Sequence, residues 1–366
     1  MKHKRLKILY TIPNFETAGS GKVVYDLVKH LNLEYFEPEI CCFHSRGAFY
    51  DEVKSLGFKM HTFNFAVPYR PYISLPFRVL KIARFFKKHR FDIIHSWHWS
   101  SDITEPLAAK LAGIPFIYTK KAMGWGNKAW CWRSALSSKI VTVNFDMQAF
   151  FKGRLLKKVI SIPFGVDTEY YCKQPKRYET PEGIVFKKTD FVILSVVNFI
   201  PVKGIEFLIE AFDTIGDKQM KLCFVGDSSN VYGQKMQALA RMNPNIYFFG
   251  KQQDVRPYHA LADVFVIPTR RLGEGLPMAP IEAMASGLFV IGSRVSGIKD
   301  VLKPFDDCMF DPDDVMALKE KLIEIKALSE QEKVSLKGAM QAHVKHRFSL
   351  TAFIGSHETL YKEVVV

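Results

Sequence analysis

Glu274 and Glu282 flank the run Gly275-Leu276-Pro277-Met278-Ala279-Pro280-Ile281. The run follows an apolar segment, Val264–Ile267, and the turn Pro268-Thr269, and its composition predicts a flexible loop leading into a short helix. That helix is expected to start near Ala279 or Pro280 and to stop at Gly287, since Pro suits a first turn and Gly a helix end. The amide N–H groups at such a start have no intrahelical acceptor, so they suit an anion such as a diphosphate. Glu274 precedes the helix and Glu282 is expected in its first turn. Two carboxylates so placed can accept hydrogen bonds from two hydroxyl pairs, one on a sugar and one on a ribose, with a diphosphate between them. That is the plan of a nucleotide sugar. A plainer reading also fits: Glu282 complements the helix dipole and Glu274 is a solvated loop residue.

A second candidate is the turn Asn198-Phe199-Ile200-Pro201-Val202-Lys203-Gly204, which links a predicted strand to a predicted helix. Lys203 at that turn can stabilise negative charge developing on a departing diphosphate, whereas Asn198 offers a neutral hydrogen bond. Alternatively Lys203 is an exposed residue opening an amphipathic helix. No DxD-like carboxylate pair or histidine cluster stands beside these residues, so a metal-free site and no bound cofactor are expected.

Short apolar runs must position these groups. Strands are predicted at Lys7–Ile12, Glu39–Phe43, Lys59–Phe63, Phe91–His95, Phe116–Thr119, Ile140–Asn144 and Val159–Pro163, and again at Phe191–Val197, Met220–Val225, Ile246–Phe249, Val264–Ile267 and Leu288–Ile291. Helical stripes lie between them, for example Val24, Leu27, Val28 and Leu31, or Ile205, Leu208, Ile209 and Phe212. The alternation predicts parallel sheets with crossover helices. The chain closes on helices near Asp313–Leu328, Glu330–Lys345 and Leu350–Val364.

At 366 residues the chain suits two domains. The polar stretch 169–188, with Pro175 and Pro181, reads as a linker between residues 1–168 and 189–345, with 346–366 a C-terminal helix that packs back on the first domain. The expected fold class is therefore α/β: two doubly wound, Rossmann-like domains with a cleft between them and ligands at the carboxyl ends of the strands.

No run of about 18 apolar residues is present, so no membrane span is expected. Met1-Lys2-His3-Lys4-Arg5 is basic like a signal peptide, but the apolar run that follows is short and interrupted by Lys7, which suits a first buried strand better. Six cysteines without CxxC spacing point to a reducing cytoplasm and to neither a disulfide scaffold nor a zinc site. The net charge of +14 is lopsided: residues 1–170 hold 26 Lys and Arg against 13 Asp and Glu, and the remainder 25 against 24. A basic half favours an anionic lipid, nucleic acid or phosphorylated partner, or is a solubilising surface. Nucleic acid is not expected, because no recognition motif accompanies the charge.

The segment EGLPMAPIEAMASGLFVIGSRVSGIKDVL resembles the signature of the retaining glycosyltransferase family 4, and the resemblance extends over most of the chain. It implies the GT-B fold and transfer of a sugar from an NDP-sugar, with the UDP or GDP form not determined. By this resemblance Glu274 contacts the transferred sugar and Glu282 the ribose, while Gly275, Leu276, Pro277 and Met278 line the sugar–phosphate region, Pro277 without an N–H to give. Lys203-Gly204 matches the family's phosphate-binding turn, but Asn198 stands where an Arg is usual. Leu222-Cys223-Phe224-Val225-Gly226-Asp227 and Phe248-Phe249-Gly250-Lys251 resemble strand ends around the donor, so Gly226, Gly250 and Lys251 join the donor-binding set. Ile162–Asp167 resembles the family's hinge segment, with Phe164 in place of Asn.

In the first half, Thr17-Ala18-Gly19-Ser20-Gly21 resembles the family's glycine-rich loop, which assigns Gly19 and Gly21 to the donor. It lacks the GxGxxG and acid of a dinucleotide fingerprint. Asp92–His98 resembles a strand end that carries histidines in the family. His95 suits a buried, satisfied side chain, and His98 is a candidate catalytic residue. Lys121, after the strand Phe116–Thr119, occupies the place of a His near the reacting sugar. Lys120 or Lys121 could serve an anionic acceptor or hydrogen-bond the sugar instead.

The helix Pro76–Arg90 places Val79, Ile82, Ala83 and Phe86 on one stripe and Arg78, Lys81, Arg84 and Lys88 opposite, with Phe77 and Phe85 among the basic residues. Such a face suits a solvated surface or reversible contact with an anionic inner membrane surface. Trp125, Trp130 and Trp132 could stack on acceptor sugars, lie near lipid, or pack in the core. The expected function is retaining sugar transfer to a saccharide or lipid-linked acceptor in cell-surface polysaccharide or glycolipid synthesis, in the cytoplasm or peripherally at the membrane. An NDP-sugar epimerase and a non-catalytic nucleotide-sugar-binding module are the competing readings.

Overall fold

The structure, a computed structural model, describes residues 4–16, 18–47 and 49–365. Met1, Lys2, His3 and Thr17, used above, lie outside them. The chain forms two compact units, residues 1–165 with 350–366, and residues 166–349.

The first unit runs β1 (Leu6–Thr11), α1 (Ala18–His30), β2 (Phe36–Cys42), α2 (Tyr50–Lys54), β3 (Met60–Thr62), α3 (Leu75–Lys88), β4 (Ile93–Ser96), α4 (Thr104–Ala112), β5 (Phe116–Lys120), α5 (Trp130–Leu136), β6 (Lys139–Thr142) and β7 (Val159–Ser161). Its strands form one sheet in the order β3-β2-β1-β4-β5-β6-β7, every pair parallel. The second unit runs β8 (Phe191–Val196), α6 (Ile205–Ile215), β9 (Met220–Val225), α7 (Val231–Ala240), β10 (Ile246–Phe248), α8 (Arg256–Leu261), β11 (Val264–Ile267), α9 (Met278–Ala285), β12 (Phe289–Ser293), α10 (Ile298–Val301), β13 (Met309–Phe310), α11 (Val315–Ala327) and α12 (Glu330–Arg347). Its sheet has the order β10-β9-β8-β11-β12-β13, again parallel throughout. The last helix, α13 (Leu350–Val365), belongs to the first unit, where the buried Tyr361 and His357 pack against Tyr10, His95 and Trp97.

Each sheet reverses its strand order once, between β1 and β4 and between β8 and β11. At such a point the loops leaving the two strands diverge and open a crevice at their carboxyl ends. The helical stripes are buried as their spacing requires, Val24, Leu27 and Val28 in α1 and Ile205, Leu208 and Ile209 in α6 having no exposure.

Several expectations need correction. Gly19 and Gly21 lie in the first turns of α1, which begins at Ala18, not in a loop. Helix α9 starts at Met278, which moves Glu282 out of its first turn. Residues 169–188 are folded onto the second unit: Arg177 N–H donates to Ala260 O at 2.9 Å, and Phe186 is buried. Phe85 leaves the basic face of α3 because its ring stacks on Phe63 with centroids 4.1 Å apart, and Phe77 alone of the two remains exposed. Arg78 is likewise not a free surface charge, since its guanidinium holds the carbonyls of Pro68, Tyr69 and Pro71.

Candidate functional site

In the second unit, β8 ends in a turn that brings Lys203 beside β11. Gly204 makes this possible: its φ is +61°, and a Cβ there would sit 2.2 Å from Pro268 O. Arg270 N–H completes the join by donating to Val202 O at 2.9 Å. Lys203 Nζ forms an ion pair with Glu274 Oε2, and both side chains are largely shielded, at 13% and 14% exposure. Buried Thr269 donates its hydroxyl to the other oxygen, Oε1, of Glu274. A like-charged or empty surrounding would leave Glu274 free to turn; here both of its oxygens are held at the switch point of the sheet.

The loop that carries Glu274 is fixed from a second side. Glu274 N–H donates to Ser296 O at 3.0 Å, and Gly297, φ +82°, lies so close that a Cβ would meet Gly275 O at 2.7 Å. Beyond it, buried Leu276 and Pro277 lead into α9, whose N-cap Pro277 supplies no side-chain cap. The first N–H groups of α9, from Met278 onward, therefore have neither an intrahelical acceptor nor a side-chain cap from Pro277. Glu282 lies one turn further along, partly buried, and accepts a hydrogen bond from the Tyr171 hydroxyl. Burial and the Glu282 charge push that phenol's pKa well up. Tyr171 and Thr269 were not anticipated from the sequence, Tyr171 because its 111-residue separation from Glu282 leaves no local pattern.

Gly226 and Gly250 end the adjacent strands β9 and β10, joined by Gly226 N–H to Gly250 O at 2.8 Å. A Cβ on Gly226 would collide with Val197 O at 1.9 Å, so this glycine lets the β8 and β9 ends close together. Asn198 and Lys251 are exposed at the same edge. The unit thus gathers Lys203, Glu274, Glu282, Gly226, Gly250, the Gly275–Met278 run and Asn198 at the carboxyl ends of its strands.

In the first unit, the other candidates gather at the corresponding edge. Lys121 Nζ donates to Trp97 O at 2.6 Å and to Ser20 Oγ at 2.8 Å, which ties the end of β5 to the first turn of α1 and to the end of β4. Burial pushes its pKa down to about 8. His98 sits edge-on to the Phe43 and Phe65 rings, and burial, with Arg133 and Lys121 nearby, pushes it down to about 3, so it is neutral. His95 is buried and held on both nitrogens, by Tyr361 at 2.7 Å and Thr119 at 2.8 Å, as a core histidine should be. Gly19 and Gly21 flank Ser20 in α1.

A buried ion network, absent from the sequence reading, supports this edge. Arg133, with no exposure, donates to Glu105 Oε2 at 3.1 Å, Ser96 Oγ at 2.9 Å and Asp102 O at 2.9 Å. Glu105 also accepts from Thr11 and Ser96. Elsewhere in the unit Glu39, His61 and His89 cluster, but Lys7 at 2.9 Å and His61 at 2.5 Å already occupy the Glu39 carboxylate.

Comparison with known proteins agrees with this geometry. Residues 17–170 match the family Glycosyltransferase Family 4, and residues 176–339 match Glycosyl transferases group 1. The chain is 25% identical over 270 residues to the UDP-Gal:alpha-D-GlcNAc-diphosphoundecaprenol alpha-1,3-galactosyltransferase of Escherichia coli, covering 68% of this chain and 69% of the relative. It is 24% identical over 323 residues to the capsular polysaccharide biosynthesis glycosyltransferase CapH of Staphylococcus aureus, covering 84% and 86%. Among solved structures, a glycosyltransferase from Rickettsia africae ESF-5 superposes with a TM-score of 0.85 at 18% identity, over 99% of each chain. Anabaena Alr3699/HepE in complex with UDP-glucose superposes with a TM-score of 0.77 at 17% identity, over 98% of this chain and 100% of that one.

Proposed function

Since the chain belongs to glycosyltransferase family 4, matched on both of its halves, and has the GT-B fold, we propose that it moves a sugar with retention from an NDP-sugar to a saccharide or lipid-linked acceptor of cell-surface polysaccharide or glycolipid synthesis. The observation that carries the site assignment is the Lys203–Glu274 pair, braced by Thr269, at the switch point beside the start of α9. A donor diphosphate placed at the α9 N–H groups would share Lys203 with Glu274, and the ammonium would stabilise the charge that grows on the diphosphate as the glycosidic bond breaks. Glu274 would then hold sugar hydroxyls and Glu282 the ribose. In this reading Lys203 and the helix amides supply the positive charge that a metal ion would otherwise bring.

The relatives support transfer over the epimerase and the non-catalytic module: one acts on a diphosphoundecaprenol-linked sugar and another serves capsular polysaccharide synthesis. The experiment is incubation with a panel of UDP- and GDP-sugars and saccharide or lipid-linked acceptors, with EDTA present. Transfer is expected to persist; full dependence on a divalent ion would contradict the metal-free mechanism, and a rearranged nucleotide sugar with no acceptor consumed would favour the epimerase.

Among the described residues no helix is long and apolar enough to cross a membrane. Reversible contact with an anionic membrane surface is part of the proposal, supported by Tyr72, Ile73, Phe77 and Leu80, which are 64%, 91%, 73% and 39% exposed around the start of α3. Lys81, Arg84, Lys87 and Lys88 follow them, exposed on the same helix. Apolar side chains next to cations suit shallow insertion below anionic headgroups.

A further inference from the structure

The carboxyl ends of β4 and β5 form a pocket in the first unit whose walls include His98, Trp99, Thr119, Lys120, Lys121 and Trp125. Two lysines line it and no carboxylate does. Lys120 is 5% exposed; its ammonium lies 3.5 Å from the Trp125 ring centre and donates to Ala122 O at 2.6 Å and Gly124 O at 3.0 Å. Lys121 uses two of its three donors on Trp97 O and Ser20 Oγ. Among the described residues, neither ammonium reaches a carboxylate at ion-pair distance.

Fixing the ends of strands and loops needs donors, not charge. A neutral amide would do that work without the cost of withdrawing an ammonium from water. Burial depresses both lysines to about 8, the sign of charge held without a counter-charge. Two further polar atoms of the walls, Trp125 Nε1 and His98 Nδ1, are buried without a partner. Neutral His98 and the Trp125 N–H can both serve a ligand's oxygens, and half-exposed Trp99 offers a ring face beside them.

We propose that this pocket binds an anionic oxygen group, a phosphate or a carboxylate, carried by the acceptor, with Lys121 as its counter-ion. The word acceptor rests on the transferase reading; the binding chemistry rests on the pocket alone. Charged acceptors would then be selected over neutral ones, because only an anion restores the charge balance that the two lysines lack.

All five tryptophans lie in the first unit. Intrinsic fluorescence therefore reports on the unit that holds this pocket, and Lys203 has no tryptophan in its own unit. The full chain is titrated with inorganic pyrophosphate, glucuronate and glucose. A saturable change is expected with pyrophosphate or glucuronate, the tighter of the two identifying a phosphate or a carboxylate partner, and none with glucose over the same range. Lys121→Gln, which keeps donors but removes the charge, should weaken the anion about tenfold or more, while Lys121→Arg should stay close to wild type. Lys121→Met repeats the test without a donor, and far-ultraviolet circular dichroism checks folding. A silent titration with both anions, equal binding of glucose, or a Lys121→Gln variant that binds like wild type would overturn the proposal. Transfer is read separately: a chain that titrates normally but transfers nothing sinks the transferase reading and leaves the pocket standing.

Discussion

Lys203 and Glu274 are 71 residues apart in the chain, yet their side chains form an ion pair where β8 and β11 leave the sheet. Gly204 permits the approach and Thr269 holds the second carboxylate oxygen. The pair has two jobs under the proposed mechanism, positioning a carboxylate for the sugar and supplying an ammonium to the diphosphate. Lys203→Ala and Glu274→Ala should each lower turnover by about 10²–10³-fold, the size expected when a group acting on developing charge is lost. Steady-state kinetics with the best donor of the panel checks this. Wild-type rates in either variant would remove these residues from the site.

Tyr171 gives its hydroxyl to Glu282. Tyr171→Phe removes one hydrogen bond to a charged group, worth about 1.5–3 kcal/mol, and leaves Glu282 less well aimed. Donor KM is expected to rise by about tenfold while kcat stays close to wild type, since ribose contact is made equally in ground and transition states. A fall in kcat at unchanged KM would place Tyr171 and Glu282 near the reacting bond instead.

The buried Arg133–Glu105 network holds the ends of β1 and β4 and the loop after β4. Arg133→Met strands a carboxylate with no exposure and should cost about 3–5 kcal/mol. Arg133→Met combined with Glu105→Gln should recover a large part of that loss. Urea denaturation of the wild type, each single variant and the double variant measures it, and additive losses would show that the two side chains are not coupled.

Three histidines of the first unit are neutral when folded: His95 well below its ordinary value, His98 pushed down to about 3 and His357 to about 4, burial being the main cause in each. The unfolded chain takes up these protons near pH 6.5 and the folded chain does not, so stability is full above that value and falls as the solution is acidified. Below about pH 6.5 the loss approaches about 1.4 kcal/mol per pH unit per histidine, and for His357 it levels off at about pH 4. Tryptophan-detected denaturation between pH 7.5 and 5 should show it, with a shallower slope in His357→Gln. Equal slopes in the two proteins would contradict the assignment.

For membrane contact, sedimentation with anionic liposomes at low salt should carry the chain down. High salt or Lys81→Glu with Arg84→Glu and Lys88→Glu should release it, each cation contributing about 1 kcal/mol. Arg78 is left out of this variant because its guanidinium holds backbone carbonyls. Failure to bind even at low salt would leave the basic half as a surface that steers an anionic acceptor.

The alternation of apolar runs was legible because parallel strands are buried on both faces and their crossover helices keep one stripe inward. What failed was local. Two-residue β13 is too short for any periodicity, and α9 starts at Met278 because Pro277 takes the capping position, which shifts Glu282 by part of a turn. Phe85 escaped the helical-wheel reading since its partner Phe63 comes from the chain after β3. Glu274, Glu282 and Lys203 stood out by type and spacing, whereas Tyr171 and the Arg133–Glu105 network depend on long-range contacts that no window of sequence contains; Thr269, five residues before Glu274, was in view and carried no signal beyond that of a turn residue. Residue types alone likewise could not show that, among the described residues, Lys120 and Lys121 lack a carboxylate partner.

Sugar transfer at the Lys203–Glu274 site from a nucleotide sugar is expected to proceed with retention. Proton NMR of the newly formed glycoside during transfer from the preferred NDP-sugar tests it most directly. A product whose anomeric configuration matches the donor's is expected, formed by the wild type and suppressed in Glu274→Ala. An inverted product, or an unchanged rate in Glu274→Ala, would contradict it.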